Sequence, residues 1–225
     1  MVRKIAFGVL WLGFIVYAFV FVPPDRPDNL ELIKNLCVGQ WQGINPLVIA
    51  LFYLMGIWPM VYSAVLLVDG RGQKIAAWPF AAASFAVGAF ALLPYLALRE
   101  PHPQFTGQKD ALIKRLDSRV TGIFLTVAAA ILVAYGFSMG DGSNFIQQWQ
   151  TSRFIHVMSL DFCLLCLLFP ALLKDDMTRR NWQNQYLFWL FAVIPLFGAL
   201  IYLCVRPPLQ ETVTLLQEKS QIELV

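Results

Sequence analysis

Apolar residues fall into six long runs separated by short polar stretches, and this pattern predicts the fold. The runs cover residues 5–22, 46–68, 76–98, 120–137, 152–173 and 186–205. Each run is about as long as a helix that crosses roughly 30 Å of hydrocarbon. The pattern therefore predicts an all-α polytopic membrane protein, a bundle of about six transmembrane helices in a single domain of residues 1–225. Residues 206–225 are predicted to form a surface tail.

The polar connections carry their own pattern. Residues 25–45 and 107–118 mix apolar and charged positions at helical spacing, which is typical of short amphipathic helices that lie at the membrane interface. The basic residues at or near predicted span ends are expected to lie at headgroup level, and they are Lys114, Arg115, Arg119 and Arg153.

Composition supports the membrane assignment. The chain is 58% hydrophobic and 14% charged, with a mean hydropathy of +0.62, whereas ordinary soluble domains carry about 25% charged residues. The lipid bilayer is therefore the expected environment. The net charge of +3 is small and its basic residues are scattered through short loops, so nucleic acid is not an expected partner. Six spans would place seven basic residues on one side and ten on the other, which favours neither orientation strongly.

The fifth run contains the only ionisable side chains inside a long apolar stretch, His156 and Asp161. A charged group costs about 2.5–3.5 kcal/mol at the bilayer centre on insertion scales, so such residues normally face protein or a water-filled cavity. At 100° per residue, Ser159 lies on the side of His156, and Asp161 points about 140° away from His156. Both sides should therefore be enclosed, which predicts that this run is the central helix of the bundle.

Asp161 has three possible states in this setting. It is protonated, it is paired with an interfacial arginine such as Arg119 or Arg153, or it is hydrogen-bonded to a Ser, Thr or Tyr of a neighbouring helix. A protonated carboxyl would suit a proton-linked carrier, whereas a hydrogen bond would suit a structural or partner-binding role.

His156 is the one imidazole at membrane depth, so bis-histidine haem ligation by this chain alone is excluded. A single histidine could ligate the magnesium of a chlorophyll in an aromatic-lined gap, which makes His156 a possible pigment ligand and chlorophyll a possible cofactor. The competing interpretation, which is favoured, is a histidine hydrogen-bonded to a neighbouring helix.

Catalytic patterns are absent from the sequence. It lacks the phosphate-loop, zinc-protease and nucleophile-elbow motifs, and Asp161 has no second carboxylate at membrane depth with which to form a protease dyad. Cys163 and Cys166 have redox-motif spacing, but in an apolar run they are expected to pack as small hydrophobes. The sequence predicts neither an enzyme nor a metal site.

The segment NPLVIALFYLMGIWPMVYSAVLLVDGRGQKIAAWPF, with the later ALLPYLALREP, resembles a poorly characterised family of cyanobacterial and plastid membrane proteins. The resemblance covers residues 46–103 well and the rest of the chain loosely, and it brings no catalytic motif. It implies a thylakoid membrane location and an association with photosystem assembly.

The leading functional expectation is a non-enzymatic accessory or assembly protein of a membrane complex. The resemblance implies that this complex is photosynthetic, with photosystem subunits as partners and with photosystem biogenesis or pigment–protein association as the role. The alternative is a small-solute or proton-linked transporter that uses Asp161.

Overall fold

A computed structural model of the chain describes residues 2–25, 27–101, 104–105 and 108–209. Every regular element in these ranges is a helix. The helices are α1 Val2–Val16, α2 Asn29–Val38, α3 Pro46–Asp69, α4 Trp78–Val87, α5 Ala89–Leu98, α6 Ala111–Leu116, α7 Arg119–Met139, α8 Gly142–Thr151, α9 Arg153–Leu168, α10 Pro170–Arg179, α11 Gln185–Val193 and α12 Phe197–Val205.

Four helical segments of the described chain are long and apolar enough to cross a membrane, which is compatible with an integral membrane location. They are α1 with its π-helical extension Tyr17–Phe21, then α3, α7, and α9 continued by α10. The all-α prediction is confirmed. The count of about six spans is not supported, because the predicted third and sixth runs, residues 76–98 and 186–205, are each broken into two short helices.

Each broken run folds back on itself as a hairpin. The turn after α3 and the residue after α5 meet, since the side chain of Gln73 bonds both the N–H and the C=O of Glu100. In the other hairpin, Trp182 precedes α11 and stacks on Tyr202 near the end of α12. Helices of 9 or 10 residues are about 15 Å long, half the thickness of the hydrocarbon. The two pairs, α4–α5 and α11–α12, are therefore re-entrant hairpins that enter the bundle from one end.

Local sequence explains both breaks. Gly88 adopts φ 50° and ψ −125°, a conformation that L side chains rarely adopt. In the second hairpin Pro195 forces the preceding residue out of helical geometry; accordingly, Ile194 has φ −81° and ψ 108°. Leu196 then takes a positive φ of 56° and reverses the chain. The hydropathy pattern could not distinguish this reversal from a continuous span.

The most enclosed helix is α3 and not, as predicted, the helix of Asp161. In their most apolar windows, 61% of the residues of α3 are buried, against 44% for α9 continued by α10. Helix α3 contacts α4, α7, α9 and α10, while α1 packs mainly on α5. One face of α9 remains exposed, and it includes Cys163 and Leu167.

Basic side chains concentrate at the end of the bundle from which the hairpins enter, here named the basic end. Thirteen of the described Lys and Arg residues lie there, and only Lys34 and Arg153 lie at the opposite end. The thirteen are Arg3, Lys4, Arg71, Lys74, Arg99, Lys109, Lys114, Arg115, Arg119, Lys174, Arg179, Arg180 and Arg206. For a chain that crosses a membrane, the positive-inside rule favours the orientation with the basic end on the cytoplasmic side.

Residues 210–225, most of the predicted surface tail, lie outside the described residues. The part that is described does not behave as a tail, because Arg206 and Leu209 are buried.

Candidate functional site at the hairpin tips

Helix α9 meets the tips of both re-entrant hairpins. Asp161 contacts the tip of α4–α5, and Cys166, one and a half turns further along, interacts with the backbone of Leu196 at the tip of α11–α12. Cys166 lies ten residues, or about 15 Å, before Asp176 at the basic end. The tips therefore lie near the middle of the span formed by α9 and α10.

Asp161 caps the first hairpin's returning helix. Its side chain is only 5% exposed, and its Oδ1 accepts a hydrogen bond from the backbone N–H of Ala89 at 2.8 Å. Ala89 is the first residue of α5, whose free N–H groups and dipole favour a negative group at this position. Neither Arg119 nor Arg153 pairs with Asp161 among the described residues. The partner is a backbone group, which sequence reasoning missed because it treated residues 76–98 as one continuous helix.

Gly88 makes this approach possible. A Cβ atom at Gly88 would overlap the carboxylate of Asp161. Glycine at position 88 therefore allows both the positive φ of the turn and the close approach of the Asp161 carboxylate. Gly88 thus lets the first hairpin pack closely against the helix of Asp161.

Helix α1 covers the first tip from the other side. The indole N–H of Trp11 donates to the carbonyl of Phe90 at 3.0 Å, and the rings of Phe14 and Phe90 stack with centroids 4.3 Å apart. The irregular backbone of the first hairpin is thus enclosed by protein, as non-helical backbone at membrane depth requires.

The second tip is open by comparison. Val193 is 68% exposed, and Ile194 and Pro195 are also exposed. No hydrogen bond from the described residues caps the C-terminal end of α11. The carbonyls of Ile194 and Pro195 accept from the N–H groups of Gly198 and Phe197, so it is the last carbonyls of α11 itself that lack a partner among the described residues.

His156 is buried near the opposite end of the bundle, with 6% of its surface exposed. Its Nδ1 lies 2.9 Å from the carbonyl of Trp149, and its Nε2 lies 3.0 Å from the hydroxyl of Tyr17. Because a carbonyl only accepts, Nδ1 carries the proton and Nε2 accepts from Tyr17 in the neutral ring. The imidazole also stacks on Trp149. Both nitrogens are engaged, so a pigment magnesium could bind Nε2 only by displacing Tyr17.

The remaining predicted residues do not join one site. Ser159 donates to the carbonyl of Ile155 in its own helix. Lys114, Arg115 and Arg119 are exposed at the basic end. Arg153 lies at the opposite end, where its Nε donates to the carbonyl of Pro23 at 3.3 Å.

Sequence analysis missed a buried ion network at the basic end. Its first part centres on Asp69, which accepts hydrogen bonds from Arg99 Nε at 2.7 Å and from Tyr95 at 2.6 Å, and also pairs with Arg179. Burial opposes the charge of Arg99, but the hydrogen bonds and negative charges of Asp69 and Asp175 together outweigh it and raise the pKa of this guanidinium. The base of the first hairpin is thereby fixed to α3 and α10.

The second part of the network centres on Asp176. It accepts hydrogen bonds from Arg180 Nε at 2.9 Å, from Tyr202 at 2.6 Å and from Arg206 at 3.3 Å. Arg206 also donates to the carbonyls of Ala64 and Leu116. Burial and the neighbouring charge of Arg180 lower the pKa of Arg206. The base of the second hairpin is thereby fixed to α3, α6 and α10.

A sequence signal for this network existed. Asp69, Arg99, Asp176 and Arg206 each stand at or just beyond the end of an apolar run. Six continuous spans would have put Asp69 and Arg99 on opposite sides of the membrane, so they could not be paired. The re-entrant path of α4–α5 brings them together.

Two cavities are relevant to ligand binding, and neither is lined by Asp161 or His156. One, of about 360 Å³, lies at the opposite end among α2, α8, the start of α9 and the loop before α3. The other, of about 590 Å³, lies at the basic end between α10 and α11. Within the described ranges, no group of three or more His, Cys, Asp or Glu residues is arranged to hold a metal ion.

Comparisons of the chain with protein-family models, with curated proteins and with solved structures give no match.

Proposed function

We propose that the protein is a non-enzymatic accessory or assembly subunit of a membrane complex, and that its partner covers the tip of the α11–α12 hairpin. The observation that carries the proposal is the exposed apolar tip of residues 193–195, which follows the uncapped C-terminal end of α11. Unpaired backbone groups cost several kcal/mol in hydrocarbon and are tolerated only against protein or water.

Protein fits this tip better than water does. The exposed side chains are Val193, Ile194 and Pro195, all apolar, whereas a water-filled pathway would be expected to present polar groups. A partner helix with a hydroxyl or amide side chain facing the tip could bond the free carbonyls and pack on these residues. The reversal at the first tip differs, because Gly88 and Ala89 are buried against α1 and Asp161, although Phe85 and Val87 before them are exposed.

The kind of complex rests on the resemblance of residues 46–103 to the cyanobacterial and plastid family. It supports a thylakoid location, photosystem subunits as partners and a role in photosystem biogenesis or pigment–protein association. The basic end would then face the stroma or cytoplasm.

The proposal is tested by photo-crosslinking in native membranes. A benzophenone amino acid at Val193 is expected to crosslink to a second membrane protein, identified by mass spectrometry after mild-detergent extraction. The matched control is the same replacement at Val127, which is 52% exposed on α7 and lies eight residues, or about 12 Å, from its beginning. Val127 should crosslink chiefly to lipid.

Each outcome decides something. Crosslinking of Val193 to photosystem subunits supports the whole proposal, and crosslinking to another membrane complex supports the accessory role but removes the photosynthetic assignment. Crosslinking to a second copy alone, or equal labelling at positions 193 and 127, would overturn the accessory role.

The carrier alternative has one observation in its favour, the position of Asp161 at a half-helix terminus near mid-membrane, where transporters place their binding sites. The proton-flux experiment described in the Discussion tests it directly.

A further inference from the structure

The cavity between α10 and α11 has the size of a ligand site, since pockets of about 300–1,000 Å³ hold small molecules. It lies where the span formed by α9 and α10 reaches the basic end. Two tryptophans form part of its wall, and tryptophan is enriched at membrane–water interfaces. The residues that carry the argument below are Lys174, Thr178, Trp182, Asn184, Gln185 and Trp189.

The lining divides into a polar part and an aromatic part. Lys174 supplies a positive charge, is exposed, and forms no ion pair with any described residue. The amides of Asn184 and Gln185 add hydrogen-bond donors, whereas the hydroxyl of Thr178 donates to the carbonyl of Lys174. Trp182 and Trp189 provide a flat apolar surface beside them. One cation with hydrogen-bond donors, next to an aromatic wall, matches an anionic headgroup attached to an acyl chain.

We propose that this cavity is a selective site for a singly charged anionic membrane lipid. The lipid's phosphate or sulfonate oxygens bind Lys174 and the neighbouring amides, and its chain lies on Trp182 and Trp189. The site is independent of the hairpin tip on which the proposed function rests.

The charge of the lining limits the ligand. Lys174 is the only Lys or Arg among the lining residues of this cavity, and it is accompanied by no Asp or Glu. A lipid with a single negative charge is therefore matched, while a polyanionic headgroup would keep uncompensated charge. The nearby Arg179 forms an ion pair with Asp69, and Arg180 forms one with Asp176. The thirteen basic residues of the same end also indicate the cytoplasmic leaflet, where anionic lipids are found.

The full-length protein is reconstituted in vesicles of phosphatidylcholine and phosphatidylglycerol in which only one lipid at a time carries brominated chains. Brominated phosphatidylglycerol is expected to quench tryptophan fluorescence at a lower mole fraction than brominated phosphatidylcholine. In a Trp182→Phe, Trp189→Phe double variant this difference should disappear, which assigns it to the cavity.

Lys174→Gln is expected to reduce the preference for phosphatidylglycerol about five-fold, the effect of one basic residue near a membrane surface. Lys174→Arg should retain the preference. Lys114→Gln is the matched control, because it removes an exposed lysine from the same end outside the cavity. Circular dichroism of each variant checks that the helices are intact.

Three results would overturn the proposal. Equal quenching by both lipids would show a non-selective groove, and equal loss in the Lys174 and Lys114 variants would show only a general surface charge effect. Displacement of the brominated lipid by millimolar inorganic phosphate would identify a free-anion site and not a lipid site.

Discussion

The carboxylate of Asp161 and the backbone N–H of Ala89 lie 72 positions apart in sequence and 2.8 Å apart in space. Asp161 lies on α9, which α10 continues through the bundle. Ala89 is the first residue of α5, the half of the broken third run that returns towards the basic end. This bond lets the chain reverse direction near mid-membrane, because it satisfies one of the N–H groups exposed by the reversal.

Replacement of Asp161 separates the structural role from proton transport. Asp161→Asn keeps an oxygen that can accept from Ala89, so the thermal stability in detergent should change little. Asp161→Ala removes the acceptor and is expected to cost about 1–2 kcal/mol, the value of a lost helix cap. The measurement is thermal unfolding in detergent, together with proton flux in proteoliposomes. Proton flux in the wild-type protein that Asp161→Asn abolishes would contradict the accessory role.

Gly88→Ala should be far more damaging than Gly56→Ala. The backbone conformation at φ 50° alone costs about 1–3 kcal/mol for a residue with a side chain, and the new Cβ would displace the Asp161 carboxylate. Gly56→Ala in α3 is the matched control, because its Cβ would meet no atom within 4 Å. Thermal melting in detergent compares the two, and an equal effect would show that the contact does not hold the hairpin.

The sequence predicted the class of fold and the enclosure of His156 and Asp161, because both follow from hydropathy and the cost of burying polar groups. The hairpins were not predicted, because a hydropathy pattern reports only the length and the polarity of an apolar run. A 20-residue apolar run that reverses at Gly88 or Pro195 has the same composition as one that continues. The reversal depends on two dihedral angles and on a long-range contact, and neither is visible in a periodicity.

The ion network shows the consequence of that missed reversal. Asp69, Arg99, Asp176 and Arg206 were visible as charges at the ends of apolar runs, but their pairing depends on which ends of the runs meet. The basic residues expected to mark the interface, such as Lys114 and Arg119, are exposed and take no part in the network. Which charged residues pair in the network therefore depends more on the path of the chain than on residue type.

Arg206→Met should destabilise the protein strongly, because it leaves the carbonyls of Ala64 and Leu116 without their donor and removes one of the arginines that compensate Asp176. Breaking a buried ion pair on one side costs about 3–5 kcal/mol. The exposed Arg115→Gln is the control and should stay within about 0.5 kcal/mol of the parent. Chemical denaturation in mixed micelles measures both. Similar midpoints for the two variants would show that the network does not anchor the second hairpin.

Tyr17→Phe tests what His156 does. If the histidine joins helices, loss of the hydroxyl bond to Nε2 should cost about 1 kcal/mol in thermal stability and leave the absorption spectrum of the purified protein unchanged. A pigment ligand would behave differently, because the wild-type protein would carry a chlorophyll-type absorption band. That band should also be lost in His156→Leu.

The re-entrant path of α4–α5 makes a prediction that six spans would reverse. Lys74 and Gln108 flank this hairpin and should lie on the same, basic side of the membrane, whereas a continuous third span would separate them. In a Cys37→Ser background, which removes the exposed cysteine of α2, Lys74→Cys and Gln108→Cys should react with an impermeant maleimide only from the cytoplasmic side. Ser143→Cys, at the opposite end, should react only from the other side. Labelling of positions 74 and 108 from opposite sides would restore the third span and would separate Asp69 from Arg99, so the first part of the ion network and the base of the α4–α5 hairpin depend on this result.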